Sequence, residues 1–499
     1  MFGKAMFGKV MFGQVTPWFL DKPKRDSHSF LQLDESTMKR TLTLATLASL
    51  GILVGAGQAL ADWKDDIGYT ALKNRIGALL EDGAGVIIAQ TEATDGNGNY
   101  LPDTTDAQFN GKTISDETGT NTGANSHATS VGRLIYGNSS SVAPGVTDIR
   151  GYSASDWAIN VTGAATGTDP AQPDYDIVNA SWVARSANIS EADATAILYH
   201  VDAMVDRFDT IVIGASDNSG ALPRLLAPSY NSIIVGKSNG THASGQTTFY
   251  GAGRNKPDIV APSTTTSSAT AMVSSATALL YEKGMGTDAV RSETMRAVLL
   301  AGATKDEFAD WDRATTRPLD EVYGAGELNV DNSYSILEGG QFTGSTSEPG
   351  SVIGEDGWDY QLTFDSSGAL YYDFEVGSGT MAEDLSVILA WNAEIVDADA
   401  GGNLIPSLNV ANLDLQIYDS TDSFLGTLID ESVSTVDNVE HLYFDTLSEG
   451  RYTIVVTGDQ DRDFALAWSS SFTAVPEPGS ALVLAIGAVG VSVIRRRRR

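Results

Sequence analysis

One stretch of this chain has to be buried when the protein folds. From Ala271 to Tyr281 nearly every residue is Ala, Val, Leu, Ser or Thr, so a helix over these residues would have no polar face. Such helices lie in the interior of large proteins, where small side chains let neighbouring elements approach closely. The rest of the chain is therefore expected to fold around this helix.

The segment in front of the helix brings hydroxyl residues to its first turn. An extended approach bounded by prolines, Lys256–Pro262, leads into the run Thr265–Thr270, which contains Ser267. Unpaired N–H groups and the positive end of the helix dipole favour an anion there. A serine at this place could attack a carbonyl whose oxygen becomes negative, or it could simply cap a core helix.

Around this helix, segments with strand and helix patterns alternate over about 270 residues. Such alternation predicts an α/β domain, assigned to residues 62–338, with a parallel sheet and helices on both faces. Active sites of such sheets lie at the carboxyl ends of the strands. The predicted helices are Tyr69–Leu80, Ser130–Ile135, Glu191–Phe208, Ala269–Tyr281 and Ser292–Leu300, and the predicted strands are Val86–Ala89, Ile177–Val178, Thr210–Ala215 and Ile233–Gly236.

The pattern changes after Leu328-Asn329, where the helices are expected to stop. Residues 345–472 have alternating apolar and polar residues separated by Gly, Asp and Asn turns, which predicts an all-β sandwich domain. The predicted strands are Leu370–Phe374, Leu385–Trp391, Leu413–Tyr418, His441–Phe444, Tyr452–Val456 and Phe464–Trp468.

The serine segment resembles that of the subtilisin-like serine peptidases, in which Lys-Pro-Asp-Ile-Val-Ala-Pro leads to Gly-Thr-Ser-x-Ala-x-Pro. Lys256–Pro262, Thr266, Ser267 and Ala269 match. Two positions differ: Thr265 stands where the family has glycine, and Ala271 where it has proline. The resemblance implies a subtilisin-like fold and makes Ser267 the nucleophile.

Of the five histidines, His127 has the sequence context of the family's base. The stretch Ser126–Gly132 is similar to the family segment His-Gly-Thr-x-Val-Ala-Gly, and Val142–Gly145 matches the Val-Ala-Pro-Gly that follows it. His28, His200, His242 and His441 lie in other contexts.

The acid departs from the family pattern. The resemblance places Glu92, at the end of the strand-like run from Val86, where the family has aspartate. A glutamate can orient a histidine in this way, although its extra methylene requires a compensating shift. Asp95, in the following loop, is the second candidate.

The oxyanion donor is assigned by resemblance to Asn218. The run Ile211–Gly220 resembles the family's strand that ends in Ala-Gly-Asn-x-Gly, with Asp217 in place of the glycine. A polar turn at a strand end is the alternative interpretation. Together the four segments imply an endopeptidase acting on polypeptides, and the four departures favour the rival hypothesis of a catalytically inactive binding protein.

The ends of the chain carry sorting signals. Residues 1–37 are interpreted as a leader that is not structural, with Met38 as the alternative start of the protein, and residues 38–61 as a signal peptide ending in Ala59-Leu60-Ala61. Residues 474–499 combine Pro476-Glu477-Pro478, a short apolar run and five arginines. They resemble the PEP-CTERM sorting signal of Gram-negative bacteria, which implies an exosortase-type partner, transient membrane contact and a final place at the cell surface, in the extracellular matrix or in the outer envelope.

Composition narrows the partners and cofactors. A net charge of −32 argues against nucleic acid and anionic membrane surfaces as partners, and the absence of cysteine excludes thiol chemistry and Cys-ligated metals. Ser-His-acid catalysis requires no cofactor. The family often binds calcium, but no loop here has a spacing that names ligands, so the metal sites stay unknown.

Overall fold

The computed structural model describes residues 13–14 and 62–475, apart from residues 363, 366–367 and 398–405. The predicted signal peptide and the Pro-Glu-Pro tail lie outside these residues. In the described part of the chain, no helix is long and apolar enough to cross a membrane.

The first domain is built on a parallel sheet, as the alternation of strands and helices predicted. Seven of the described strands form it, in the order β11-β8-β7-β5-β2-β4-β3. The strands of this domain are β2 (Ile87–Glu92), β3 (Thr113–Asp116), β4 (Asp148–Ser153), β5 (Ile177–Ala180), β6 (Trp182–Val183), β7 (Ile211–Ala215), β8 (Ile233–Lys237), β9 (Gly245–Gln246), β10 (Asn255–Lys256) and β11 (Ile259–Ala261). One more strand, β1 (Gly13–Gln14), lies in the stretch 1–37 that was expected to be non-structural, and it pairs antiparallel with β6.

Helices cover both faces of the sheet. Successive residues of a strand point to opposite faces, so each face has its own apolar core. Ile88 and Ile177 pack in one apolar core with α3 and α6, and their neighbours Ala89 and Val178 pack in a second core with α5. The helices are α1 (Trp63–Asp66), α2 (Tyr69–Ile76), α3 (Ser126–Tyr136), α4 (Ala154–Asp156), α5 (Glu191–Phe208), α6 (Thr266–Gly284), α7 (Ser292–Ala301) and α8 (Val330–Gly339), with a π-helix at Trp157–Val161 and 3-10 turns at Gly77–Leu79, Ala107–Phe109 and Asp288–Val290.

Helix α6 is the buried helix that the sequence predicted. It packs against β5, β7, β8 and β11 on one side and against α3, α7 and α8 on the others. Its small residues allow this: Ser275 Oγ donates to the carbonyl of Ile135 in α3 (2.8 Å) and accepts from the N–H of Val142 (3.1 Å). The helix therefore holds the sheet and the neighbouring helices together.

The helices do not stop at Asn329, and this expectation was wrong. Asn329 instead caps α8, since its Oδ1 accepts the N–H groups of Asp331 and Asn332 (3.1 Å each). The apolar residues of α8, among them Ile336, are buried against α6 and α7. The composition change at Asn329 thus marks a helix start and not the end of the domain.

The all-β domain follows, as predicted, and is built on two packed antiparallel sheets with one short parallel pair, while residues 394–397 and 406–409 form a separate antiparallel pair. One sheet has the order β12-β14-β21-β18-β19 and the other β13-β22-β15-β20, and apolar side chains of both form one core. The strands are β12 (Ser351–Val352), β13 (Gly357–Gln361), β14 (Leu370–Val376), β15 (Thr380–Ala390), β16 (Glu394–Asp397), β17 (Pro406–Asn409), β18 (Leu413–Asp419), β19 (Thr427–Ser432), β20 (Val439–Leu447), β21 (Gly450–Gly458) and β22 (Phe464–Ala474).

The sandwich is joined to the first domain by buried polar contacts. Asn231, in front of β8, accepts the N–H of Ala393 (2.8 Å) and donates to its carbonyl (2.9 Å). The guanidinium of Arg296 in α7 donates to the carbonyls of Tyr230 (2.7 Å) and Asn438 (3.2 Å). Asn231, Arg296 and Ala393 are all at least 95% buried, so water cannot replace these partners.

We expect Asn231→Ala to lower the free energy of unfolding of the whole chain by about 2–4 kcal/mol, because it leaves two buried backbone groups of Ala393 without partners. Both domains should still unfold in one transition. Urea denaturation followed by fluorescence and by far-UV circular dichroism measures this.

The matched control is Asn239→Ala, which removes an exposed side chain that bonds only within its own turn. It should cost less than about 1 kcal/mol. Two separate transitions in the wild-type protein would contradict the coupling of the domains.

Candidate active site

The structure brings Glu92 and His127 into direct contact. Glu92 is the last residue of β2 and is fully buried. His127 is the second residue of α3, and its Nδ1 lies 2.8 Å from Glu92 Oε2. With Nδ1–H donating to the carboxylate, Nε2 carries the lone pair. Nε2 is buried and has no hydrogen-bond partner among the described residues.

Asn125, just before α3, fixes the position of His127. Its Oδ1 accepts the N–H groups of His127 (2.8 Å) and Ala128 (3.2 Å), which makes it the N-cap of α3. Its Nδ2 donates to the carbonyls of Ala93 (3.1 Å) and Asn99 (2.9 Å) and ties the helix to the loop after Glu92. The helix predicted over Ser130–Ile135 begins earlier, at Ser126, so the prediction did not include Asn125, although an asparagine in front of a helix start is a capping signal.

Gln90 holds the second carboxylate oxygen of Glu92. Gln90 Nε2 donates to Glu92 Oε1 (3.0 Å) and to the carbonyl of Ala128 (2.9 Å), and Gln90 Oε1 accepts from the hydroxyl of Tyr136. A buried carboxylate needs such partners. They also accommodate the longer side chain of a glutamate at this position.

Asp95, the second candidate for the acid, is directed elsewhere. Its carboxylate accepts the N–H groups of Asn97 (2.8 Å) and Asn99 (2.9 Å) and the Asn99 side chain (3.1 Å). It therefore closes its own loop and does not contact His127.

The pKa of His127 reflects two opposing effects. Burial lowers it, whereas the negative charge of Glu92 and the hydrogen bond to it raise it, and the net result is a pKa above the ordinary value. The remaining described histidines form other contacts: His200 with the carbonyl of Ala196, His242 with β8 and Val322, and His441 with Ser386. Among the described residues, His127 is the histidine that contacts a carboxylate in this way.

Ser267 is the second residue of α6 and is 97% buried. Its hydroxyl donates to Thr265 Oγ1 (3.2 Å) and does not bond to His127. Thr265 is the N-cap of α6, and its Oγ1 also accepts the N–H of Ser268 (3.3 Å). The threonine that replaces the family glycine therefore holds the hydroxyl of the candidate nucleophile.

Ser181, at the start of the short strand β6, also touches this segment. Its hydroxyl donates to the carbonyl of Ser267 (2.9 Å). Ser181 is not among the predicted site residues, because a serine after a short strand carries no sequence signal of its own.

Asn218 lies beside the start of α6. Its Oδ1 accepts the N–H of Thr266 (2.8 Å), which leaves Nδ2 as the free donor of the amide. Asp217, in place of the family glycine, is fully buried and forms an ion pair with Arg185. This ion pair holds the loop that carries Asn218.

The arrangement thus has four parts at the carboxyl edge of the sheet: a hydroxyl, an imidazole, a buried carboxylate and an amide. Such a set suits acyl transfer. Among the described residues no cluster of three or more His, Asp or Glu side chains could hold a metal ion, and structural calcium stays a prediction.

No protein-family model and no curated protein matches this chain. Solved structures similar to it include serine proteases. MycP1, a serine protease of the type VII (ESX-1) secretion system, is 16% identical over 54% of this chain and 87% of that chain, with a TM-score of 0.34.

Two further proteases are similar at the same level. A protease from Pseudoalteromonas arctica PAMC 21717 is 15% identical over 51% of this chain and 91% of that chain, with a TM-score of 0.30. Tripeptidyl peptidase 2 is 10% identical over 69% of this chain and 40% of that chain, also with a TM-score of 0.30. Identities and TM-scores this low do not assign a reaction to this chain, so its reaction is inferred from its own residues.

We expect Glu92→Gln to lower the pKa of His127 below its ordinary value of about 6.5, because the charge that raises the pKa is lost and the burial that lowers it remains. A base must be neutral to accept a proton. Any activity that depends on neutral His127 should therefore begin at lower pH in this variant. NMR titration of the imidazole measures the pKa directly.

Asp95→Asn is the matched control, since it removes the same charge three residues along the chain. It should leave the pKa of His127 unchanged. If Asp95→Asn shifts the pKa of His127 and Glu92→Gln does not, Glu92 is not the carboxylate that acts on His127.

Proposed function

We propose that this chain is an exported, subtilisin-like serine endopeptidase that hydrolyses peptide bonds by a Ser-His-acid mechanism. The observation that carries the proposal is the hydrogen bond between buried Glu92 and His127 Nδ1. It holds the imidazole in the tautomer whose Nε2 can accept a proton, at the sheet edge where Ser267 begins α6.

In this mechanism Ser267 Oγ attacks the carbonyl carbon of the scissile bond and gives its proton to His127 Nε2. Glu92 stabilises the imidazolium that forms. The oxyanion accepts hydrogen bonds from Asn218 Nδ2 and the N–H of Ser267. The C–N bond then breaks, and His127 passes the proton to the leaving amine. Water repeats these steps on the ester, releases the acid and restores Ser267.

The hydroxyl of Ser267 has to leave Thr265 before this reaction. Both are side-chain hydroxyls on the first turn of one helix, and rotation about χ1 of Ser267 breaks the bond. One neutral hydrogen bond contributes about 0.5–1.5 kcal/mol net, which substrate binding can offset. Catalytic hydrogen bonds of free enzymes often form only in the complex with substrate.

A polypeptide substrate is supported by the backbone of β6. This strand pairs antiparallel with β1, with Gly13 opposite Val183 and Gln14 opposite Trp182. An extended segment on this edge runs from Val183 towards Ser181, whose hydroxyl contacts the Ser267 segment. A substrate bound in the same direction would pair with β6 through residues N-terminal to its scissile bond.

The proposal that the protein is exported rests on the sequences near the two ends of the chain. The Ala59-Leu60-Ala61 site and the Pro476-Glu477-Pro478 tail lie outside the described residues. We propose that the first directs secretion and that the second recruits an exosortase-type enzyme after transient membrane contact, which leaves the protein at the surface of a Gram-negative cell.

The second candidate function is a catalytically inactive binding protein that keeps the same fold. The observation that favours it is the bond from Ser267 to Thr265 in place of one to His127. The two functions differ in the reactivity of one hydroxyl.

We expect a fluorophosphonate probe to label Ser267 and Ser267→Ala to abolish both labelling and peptide hydrolysis. In subtilisin, removal of the serine costs about 10⁶-fold in turnover. Ser268→Ala, the matched control one residue along the helix, should keep most activity because Ser268 bonds only to Thr265 in the described structure. Mass spectrometry of the labelled peptide identifies the residue, and a label on Ser268 would move the nucleophile by one position.

We expect Thr265→Gly to speed labelling of Ser267 about 2–10-fold, because it removes one hydrogen bond that holds the hydroxyl away from His127. Glycine is an acceptable N-cap, so α6 should persist. Labelling rates of the two proteins under equal conditions test this. If Ser267 is inert in both proteins, the inactive binding protein is the better description.

A further inference from the structure

A pocket lies beside the candidate active site. Its volume is about 540 Å³, and it opens at the carboxyl ends of β2, β3 and β4. Five of its nine lining residues carry a hydroxyl group, one has an aliphatic side chain, Ile159, and one has a charged side chain, Asp156. The hydroxyl residues are Thr94, Thr118, Thr120, Ser153 and Ser155.

The pocket shares its wall with the Glu92–His127 pair. Ser153 lies opposite Glu92 in the ladder between β4 and β2, and its N–H donates to Thr118 Oγ1 (3.0 Å). Thr94 belongs to the loop that Asn125 holds through the carbonyl of Ala93 (3.1 Å). The pocket is therefore built on the same backbone as the acid and the base.

One wall of the pocket is connected to β6, although no residue of β6 lines the pocket itself. The π-helix Trp157–Val161 forms one wall, and the ring of Trp157 packs edge-on against Trp182 of β6, with centroids 6.5 Å apart. The indole of Trp182 donates to Thr91 Oγ1 (2.8 Å), which fixes it against β2. The residues of a bound peptide that pair with β6 lie N-terminal to its scissile bond, and they would pass beside this wall of the pocket.

The lining selects the charge of the side chain that can enter. Asp156 Oδ1 accepts one hydrogen bond, from Asn160 Nδ2 (2.6 Å), and the carboxylate keeps further acceptor capacity. An aliphatic side chain would offer the carboxylate of Asp156 no donor, and a carboxylate on the substrate would be repelled by it. A cationic side chain satisfies both the carboxylate and the hydroxyl acceptors.

We propose that this pocket is a specificity site that takes a lysine or arginine side chain of the substrate, N-terminal to the scissile bond, with its cation on Asp156. The inference rests on the proposed peptidase function and adds the class of substrate residue that it selects.

The test uses peptides that differ at one position N-terminal to the cleaved bond, where Lys, Gln, Leu or Glu is placed. At the position that reaches the pocket, the wild-type protein should prefer Lys over Leu in kcat/KM by about tenfold. Asp156→Asn should remove that preference and leave the Leu peptide unchanged.

The matched control is Asp174→Asn. Asp174 lies before β5, and its exposed carboxylate pairs with Arg150, so this variant removes the same charge outside the pocket. It should leave the preference intact. A wild-type preference for Leu or Glu, or an equal effect of Asp156→Asn on all peptides, overturns the inference.

Binding separates this inference from the proposed function. If the wild-type protein hydrolyses none of the peptides, the peptidase function fails, and fluorescence polarisation of the same labelled peptides still tests the pocket. Tighter binding of the Lys peptide that is lost in Asp156→Asn supports it, and equal binding of all four peptides overturns it.

Discussion

The close packing of helix α6 is the constraint on which this structure depends. The helix lies on the sheet between α3, α7 and α8, and most of its residues are buried. Such contact on so many sides is available only to small side chains, since extra methylenes in a packed interior typically cost about 1–3 kcal/mol. The same packing sets the start of the helix, and with it Ser267, beside Asn218 in the loop after β7.

Three of the four positions that differ from the subtilisin-like pattern form a side-chain contact of their own. Glu92 is longer than aspartate, and Gln90 bonds its second oxygen. Asp217 would be an unpaired buried charge without Arg185. Ala271 keeps the backbone N–H that a proline lacks, so α6 continues through this position. Thr265 differs from the other three because its new contact is to the candidate nucleophile itself.

The sandwich is part of the same folded unit as the first domain. The backbone of Ala393 takes both of its partners from Asn231, and Arg296 reaches across to the carbonyl of Asn438. Buried pairs of this kind are costly to separate, because each lost partner leaves a desolvated polar group. The second domain therefore supports the loop before β8 and the helix α7 that packs beside α6.

The sequence by itself determined the elements whose signals are local. Helix α5 has its predicted bounds because Ser190 caps one end and Asp209, in a left-handed conformation, ends the other. The sequence did not reveal α8, because its apolar residues follow a composition change. It did not reveal β3 either, because Ile114 is the one apolar residue of the four in that strand. Only the tertiary structure decided that Glu92 and not Asp95 contacts His127, because that choice depends on where two strand ends and a helix start meet in space.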